Sequence, residues 1–343
     1  MSHGFELAYV YARVCGSLAR SFLGDRAASL STSPRVGEAW RIVFGEPPPV
    51  LPEAQLADQA EKKLRRRAES ALRSIAGNSV DEDPFFACLM RDGEYSYVKR
   101  LLSALVERSV SAPESDGLGK AIDVTAYPDL EKMLGNGRYQ WIVGAAKEAG
   151  AKGVASLTEL PEIKNKLDKQ YYLELWLSLA SVSPRYIGSL RDLLQLDAEL
   201  QNIVWALRLK RYYAFQKDEI EGLLIDVPGV DVKSSALDAV GRRLESRSDW
   251  SSWKWERLVS DARPSEGEAF DVRSLESAAR RYQYRCLYHR LHLECETYVP
   301  LYSYYRIKEL ETRAIHGIIE GIKLEAPAAE IGAFALDTTG GAA

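Results

Sequence analysis

The sequence predicts an all-α fold, and the spacing of its apolar residues is the main reason. In three long segments the apolar residues recur every three or four positions, the pattern of a helix that buries one face. Alternating apolar and polar runs of strand length are nearly absent. The three segments cover residues 54–76, 193–207 and 307–322.

The first predicted helix, over residues 54–76, has an apolar stripe and a basic face. The stripe contains Leu56, Ala60, Leu64, Ala68, Ala71, Leu72 and Ile75. We interpret the opposite face as solvated, because acidic and basic residues interleave along it; contact with an acidic partner is the alternative. The basic residues are Lys62, Lys63, Arg65, Arg66 and Arg67, and the acidic ones are Glu61 and Glu69.

The other two predicted helices show the same periodicity. The stripe of the second contains Leu193, Leu196, Leu200, Ile203, Val204 and Leu207. The stripe of the third contains Ile307, Leu310, Ala314, Ile315, Ile318, Ile319 and Ile322.

Proline and glycine mark the predicted connections between helices. Residues 47–49 are three consecutive prolines, which cannot continue a helix and predict an extended connector. Loops are predicted at 111–119, 226–229 and 261–267. The tail 338–343 lacks apolar anchors, and we expect it to be disordered.

Composition excludes several classes of protein. The net charge of the 343-residue chain is −4, which lacks the basic excess of a nucleic-acid binder. Four cysteines are too few for a disulfide framework and suit a reducing cytoplasm. The most apolar stretch, Tyr171 to Val182, is too short and polar to span a bilayer. Residues 5–23 contain charges that a signal peptide would lack. We therefore expect a soluble protein.

An acidic pair followed by two apolar residues four apart occurs three times. The second copy follows the first by 105 residues, and the third follows the second by 112. We interpret the copies as internal repeats, although unrelated amphipathic helices could also align this way. Carboxylates one turn before a buried stripe predict helix N-termini, where the helix dipole favours acid. The copies are Asp92, Glu94, Val98 and Leu102; Asp197, Glu199, Ile203 and Leu207; and Glu309, Glu311, Ile315 and Ile319.

A candidate metal site lies at Cys286, His289, His292 and Cys295. Two cysteines and two histidines are the ligands of many zinc sites. In a helix, however, steps of three residues drift by about 60° each, so the first and last side chains point to opposite faces. We therefore predict no metal site of four ligands.

Two further motifs predict no chemistry. Residues 117–120 (Gly-Leu-Gly-Lys) lack the spacing and the hydroxyl residue of a phosphate loop. Trp250, Trp253 and Trp255 could form an interface patch, and we favour core packing for them. The sequence thus predicts no catalytic, cofactor-binding or metal-binding residue.

Ordered motifs resemble those of the C-subunit family of V/A-type rotary ATPases, whose eukaryotic equivalent is the V-ATPase d protein. The middle motif runs from Asp197 through Asn202 to Lys210 and is followed by Tyr212 and Tyr213. The C-terminal motif covers residues 304–311 and 318–323, and residues 9–13 resemble the opening helix of the family. The chain departs from the pattern at Ala314, where the family often carries Asn.

This resemblance implies a funnel of three homologous helical units with pseudo-threefold symmetry. We place the units at residues 1–115, 116–228 and 229–337. The resemblance further implies a non-catalytic connector on the cytoplasmic face of the membrane, with no cofactor and no membrane span. Its partners would be the central-shaft subunits of the soluble sector and the membrane rotor ring of proteolipid subunits. Candidate contact residues are Arg208, Arg211 and Lys308.

Two alternatives remain open at this point. A helical-repeat adaptor for a soluble partner would explain the repeats without the ordered motifs. A zinc-dependent enzyme would use the cluster at 286–295, and the metal content of the purified protein separates it from the other two.

Overall fold

The computed structural model describes residues 3–77, 83–111, 137–142, 160–263, 270–295 and 298–336. Within these ranges the chain is helical and its single β-bridge joins Val227 to Val230, so the predicted all-α class is confirmed. None of the described helices is long and apolar enough to cross a membrane. In chain order the helices are α1 (His3–Leu18), α2 (Asp25–Leu30), α3 (Val36–Phe44), α4 (Glu53–Ala76), α5 (Pro84–Leu89), α6 (Asp92–Ser111), α7 (Leu160–Ser178), α8 (Pro184–Tyr213), α9 (Lys217–Leu223), α10 (Ser234–Gly241), α11 (Glu256–Ser260), α12 (Val272–Leu293), α13 (Val299–Lys323) and α14 (Ala328–Gly332).

The three predicted amphipathic helices are α4, α8 and α13. All seven apolar positions predicted for residues 307–322 are buried in α13. The three prolines at 47–49 lie between α3 and α4, and residues 226–229 form a turn closed by the β-bridge. Residues 112–119, 264–267 and 338–343 lie outside the described residues. The connections that the structure describes are thus confirmed.

Pro184 begins the longest helix, α8, and Ala214 ends it in a left-handed backbone conformation. Pro184 occupies the first turn of α8, where its missing N–H breaks no helical hydrogen bond. Ala214 follows the last residue with φ of 53°, and its N–H donates to the carbonyl of Leu209. A left-handed residue at this position is a common way to end a helix.

Three buried clusters make up the hydrophobic core, and the long helices connect them. The first cluster surrounds α5, α6 and α7. The second joins the C-terminal half of α8 to α9–α12 and contains the three tryptophans, so the predicted core packing of Trp250, Trp253 and Trp255 is confirmed. The third joins α2, α3 and the start of α4 to the C-terminal half of α13.

Both α8 and α13 contribute one half of their length to one cluster and the other half to another. The buried apolar residues of α8 belong to the first cluster up to Ala198 and to the second from Leu200. Those of α13 belong to the first cluster up to Leu310 and to the third from Ile315. Because the clusters share helices in this way, they do not coincide with consecutive thirds of the chain. The unit boundaries at 115 and 228 stay a prediction.

The C-terminal segment packs onto two glycines of α13. A Cβ atom at Gly317 would lie 2.6 Å from the ring of Phe334, and one at Gly321 would lie 2.9 Å from Ile331. Ile331 is buried in the third cluster. The absence of side chains at these two positions therefore allows the close approach of α14.

We expect Gly321→Leu to destabilise the protein by about 1–3 kcal/mol, because the new side chain displaces Ile331 from a packed contact. Urea unfolding measures the change, and limited proteolysis of the C-terminal segment localises it. The matched control is Gly188→Leu on α8, where a side chain meets nothing within 4 Å. That variant should be neutral or more stable by up to about 1 kcal/mol, since leucine favours a helix. Equal stability of the two variants would contradict the packing argument.

Candidate functional site

The first carboxylates of the three repeated pairs converge in the interior of the molecule. Arg306 on α13 is 4% exposed and donates through one Nη to the carboxylate of Asp197 and through the other to that of Glu309. The carboxyl groups of Glu309 and Asp92 hydrogen-bond to each other. Tyr172 Oη also donates to Asp197, at 3.0 Å. We call Asp92, Asp197, Arg306 and Glu309 the charged hub.

The charged hub lies where the helices pass from one cluster to the next. Asp197 stands just before the change of cluster in α8, and Glu309 stands just before the change in α13. Only Asp92 lies in the first turn of its helix, α6. The predicted location at helix N-termini is therefore wrong for the second and third copies. In those copies, hydrogen bonds from Arg306 compensate the buried carboxyl groups in place of the helix dipole.

The second carboxylate of each pair binds a different part of the chain. Glu94 lies 3.9 Å from the guanidinium of Arg138. Glu199 accepts hydrogen bonds from Lys254 at 2.7 Å and from Trp255 Nε1 at 3.0 Å. In both copies the partners lie further along the chain, beyond the helix that carries the carboxylate.

Glu311, in the third copy, binds the opposite end of the chain. Its carboxylate accepts a hydrogen bond from the backbone N–H of Phe22 at 2.6 Å and one from Lys308 Nζ at 2.6 Å. The second carboxylate of the first copy thus contacts Arg138, and that of the second copy contacts residues 254 and 255. The second carboxylate of the third copy contacts the N-terminal segment at Phe22.

The pKa values of Glu309 and Asp92 are shifted in opposite directions. Burial, reinforced by the Asp92 charge and opposed by Arg306, raises the pKa of Glu309 well above its usual range. Burial alone would also raise the pKa of Asp92, but the hydrogen bond from Glu309 and the nearby charge of Arg313 together hold it below its usual range. Asp92 Oδ2 and Glu309 Oε1 have no donor among the described residues. A proton on Glu309 would satisfy both oxygens.

Glu309→Gln should therefore make stability less dependent on pH. The folded protein binds a proton that the unfolded chain releases above the ordinary glutamate pKa of about 4.3. Because the unfolded state then binds fewer protons, the wild type loses stability as pH rises above that value. Glutamine keeps the shape and the donor and does not titrate. Relative to the wild type, the variant should be more stable at pH 8 than at pH 5 in urea unfolding.

The matched control for this experiment is Glu320→Gln on the same helix, where Glu320 pairs with Lys323 at 2.6 Å. It should retain the pH dependence of the wild type. The measurements are made above pH 5. In more acidic solution the lowered pKa of Asp92 makes stability fall as pH falls, which opposes the effect of Glu309. The same pH dependence in Glu309→Gln and wild type would contradict a proton on Glu309.

The predicted contact residues lie in three different environments. Arg208 donates to Glu276 and is half-buried. Lys308 donates to Ser21 Oγ at 2.7 Å and to Glu311, and is also half-buried. Arg211 is exposed beside Tyr212 near the end of α8. The structure does not bring the three together in one site, and their role as contact residues stays a prediction.

The cysteine–histidine cluster follows the predicted helical geometry. Cys286, His289 and His292 lie in α12, and Cys295 lies just beyond its end. His292 Nδ1 and Tyr11 Oη share a hydrogen bond of 2.7 Å. Among the residues that the structure describes, no group of three or more His, Cys, Asp or Glu side chains is placed to hold a metal.

The basic face of α4 is largely used within the chain. Lys63 pairs with Glu46 and lies 5.2 Å from the ring of Trp40. Arg65 pairs with Glu61 at 3.2 Å. Lys62 and Arg66 are exposed, as a solvated face predicts.

Asn202 follows Asp197 by five residues, and the corresponding residues of the other two copies are Tyr97 and Ala314. The side chain of Asn202 accepts from the backbone N–H of Ile225 at 2.7 Å and donates to the carbonyls of Ile225 and Val232 at 2.9 and 2.8 Å. It therefore fixes the segment after α9 onto α8. The equivalent positions, Tyr97 and Ala314, cannot form this amide bridge.

Sequence reasoning did not identify Arg306 as the centre of the charged hub. The available signal was a single charged residue within a run that is otherwise suited to burial, with Tyr305 before it and Ile307 after it. Arginines are almost never fully buried unless they are paired. Such a residue at a buried helical position predicts an internal carboxylate partner.

Comparison with known proteins gives three findings. The ATP synthase (C/AC39) subunit family matches residues 50–334. An uncharacterized protein of Treponema pallidum is 26% identical over 334 residues, 92% of each chain. The C subunit of the A-type ATP synthase of Methanosarcina mazei is 25% identical over 198 residues, which are 57% of this chain and 54% of that protein. The family match begins after the motif at residues 9–13 and includes the middle and C-terminal motifs.

Proposed function

The chain belongs to the ATP synthase (C/AC39) subunit family, and from that membership we propose that it is the non-catalytic central-stalk connector of a V/A-type rotary ATPase. It links the rotating shaft of the soluble ATP-hydrolysing sector to the membrane rotor ring and transmits torque for proton or sodium transport. It works as a peripheral subunit on the cytoplasmic face of the membrane. The observation that carries the proposal is the family match over residues 50–334.

The charged hub supports a role in transmitting force. A connector under torque must resist deformation, and close-packed helices have little room to deform. Arg306 joins α8 to α13, and the Asp92–Glu309 hydrogen bond joins α6 to α13. The second carboxylates add connections between distant segments, including the N-terminal one. These contacts favour the pseudo-threefold arrangement of three homologous units, which we retain as part of the proposal.

We further propose that the end of α8 contacts a partner protein of the complex. Arg211 is exposed there, and Tyr212 and Tyr213 are 52% and 51% exposed. Tyrosine and arginine are the residue types that most often anchor protein interfaces. Arg208 and Lys308 remain candidates, but each would have to exchange an internal ion pair for the partner.

Affinity purification from native membranes tests the connector. A tagged full-length chain, extracted in mild detergent, should bring down subunits of both the shaft and the rotor ring. An identically tagged, unrelated helical protein is the control. Recovery of a soluble partner alone, without any other component of a rotary ATPase, would overturn the proposal in favour of a helical-repeat adaptor.

A further inference from the structure

A polar cavity of about 210 Å³ lies between α1, α4 and α13. Part of its lining is apolar and contains Phe22, Val43 and Leu64. Another part presents hydroxyl groups, including those of Ser17 and Tyr304, which are 2.9 Å apart. No residue of the charged hub lines this cavity, so the two are separate features of the molecule.

The side chains that line this cavity carry an excess of positive charge. Arg20, Arg67 and Lys308 all line it, and Glu311 is the single carboxylate among the described residues of the lining. Glu311 is already neutralised, because it accepts hydrogen bonds from Lys308 and from the backbone N–H of Phe22. The two guanidinium charges are therefore left without a counter-charge in the cavity.

Both arginines also have N–H donors that form no hydrogen bond within the described residues. Arg67 uses one Nη to donate to the carbonyl of Val43 at 3.1 Å, which leaves its other N–H groups available. The guanidinium of Arg20 forms no hydrogen bond or ion pair with any residue that the structure describes. Both arginines line the same cavity, so an anion bound there would be attracted by both positive charges.

We propose that this cavity binds a small phosphate-class oxyanion, either inorganic phosphate or the terminal phosphate of a monoester. Two planar guanidinium groups offer paired N–H donors that match the oxygens of a phosphate. Ser17 and Tyr304 hydrogen-bond to each other, so one of their two O–H groups is left to donate to a phosphate oxygen. The cavity is smaller than the roughly 300–1,000 Å³ of sites for drug-sized ligands, which suits a phosphate group and not a whole nucleotide.

Titration of the purified full-length chain with inorganic phosphate tests this proposal. Calorimetry at constant ionic strength should show saturable binding of one phosphate per chain. Arg20→Gln and Arg67→Gln should each weaken it by about tenfold or more, as expected for the loss of a charge-assisted hydrogen bond. Both side chains are exposed, so circular dichroism should show unchanged folding.

The matched control is Arg66→Gln, an exposed arginine of α4 that does not line the cavity. It removes the same charge and should change phosphate affinity by less than about twofold. An equal loss of affinity in all three variants would overturn the proposal, because it would show general attraction of anions to a basic surface. Absence of saturable binding in the wild type would overturn it as well.

Two further arms separate the sources of the phosphate. Phenyl phosphate tests a soluble monoester, whose ring could use the apolar part of the lining. Vesicles that contain phosphatidic acid test a lipid headgroup. Binding of phenyl phosphate or of the vesicles that depends on Arg20 and Arg67, but not on Arg66, supports the site. The arm in which this binding occurs identifies the source of the phosphate. Affinity purification of the rotary complex does not depend on this cavity, so the two proposals can fail separately.

Discussion

Arg306→Met should leave the protein largely unfolded under conditions in which the wild type is stable. The substitution keeps the apolar part of the side chain and removes both hydrogen bonds to Asp197 and Glu309. Breaking a buried ion pair by removing one partner typically costs about 3–5 kcal/mol, because the remaining charge is buried and uncompensated. A whole domain is stable by only about 5–15 kcal/mol. Urea unfolding followed by circular dichroism measures the loss.

Two variants make this expectation specific to the charged hub. Arg243→Met removes an arginine that pairs with Asp249 at 3.0 Å but is 76% exposed, so stability should change by less than about 1 kcal/mol. Adding Asp197→Asn to Arg306→Met removes the buried charge that the arginine balanced. This double variant should recover part of the lost stability. Wild-type stability of Arg306→Met would contradict the central role of this residue.

The sequence predicted the helices well because their signal is local. Periodic apolar residues in 54–76, 193–207 and 307–322 determine which face of each helix is buried, whatever that face packs against. Trp250, Trp253 and Trp255 are buried as predicted, although they lie outside the periodic stripes. The charged hub could not be predicted in this way, because Asp92, Asp197 and Glu309 lie in three helices that are far apart in the chain. Which carboxylates meet one arginine depends on how the long helices cross.

The repeated acidic pairs show how a correct pattern can have the wrong explanation. Their spacing correctly singled out carboxylates that meet in the structure, and their apolar partners are buried in all three copies. The helix dipole nevertheless accounts only for Asp92, at the start of α6. In α8 and α13 the carboxylates lie mid-helix, where an ion pair is the remaining way to offset desolvation. Glu309 has its partner Arg306 three residues away on the same helix, whereas Asp197 pairs with Arg306 across 109 residues, which no local window of sequence contains.

Ile203→Asp should uncouple ion transport from ATP hydrolysis. Ile203 lies on α8, is fully buried in the second cluster and belongs to the second repeat. A buried, unpaired carboxylate typically costs several kcal/mol, which is comparable with the stability of a domain. The cluster around α9–α12 should therefore lose its packing, and in the proposed connector role the protein should hold shaft to ring poorly. ATP hydrolysis by the soluble sector should persist, while ATP-driven ion transport in reconstituted vesicles should be largely lost.

The matched control is Ile42→Asp, the same change at a half-exposed position on α3. It should leave the fold intact, because its carboxylate stays in water. Comparing urea unfolding of the two isolated chains with hydrolysis and transport by the reconstituted complexes separates a folding defect from a lost contact. A folded Ile203→Asp protein with normal transport would contradict both the burial of this stripe and the connector proposal. Loss of folding with transport intact would show that the rotary machine works without this protein, and that result would overturn the connector alone.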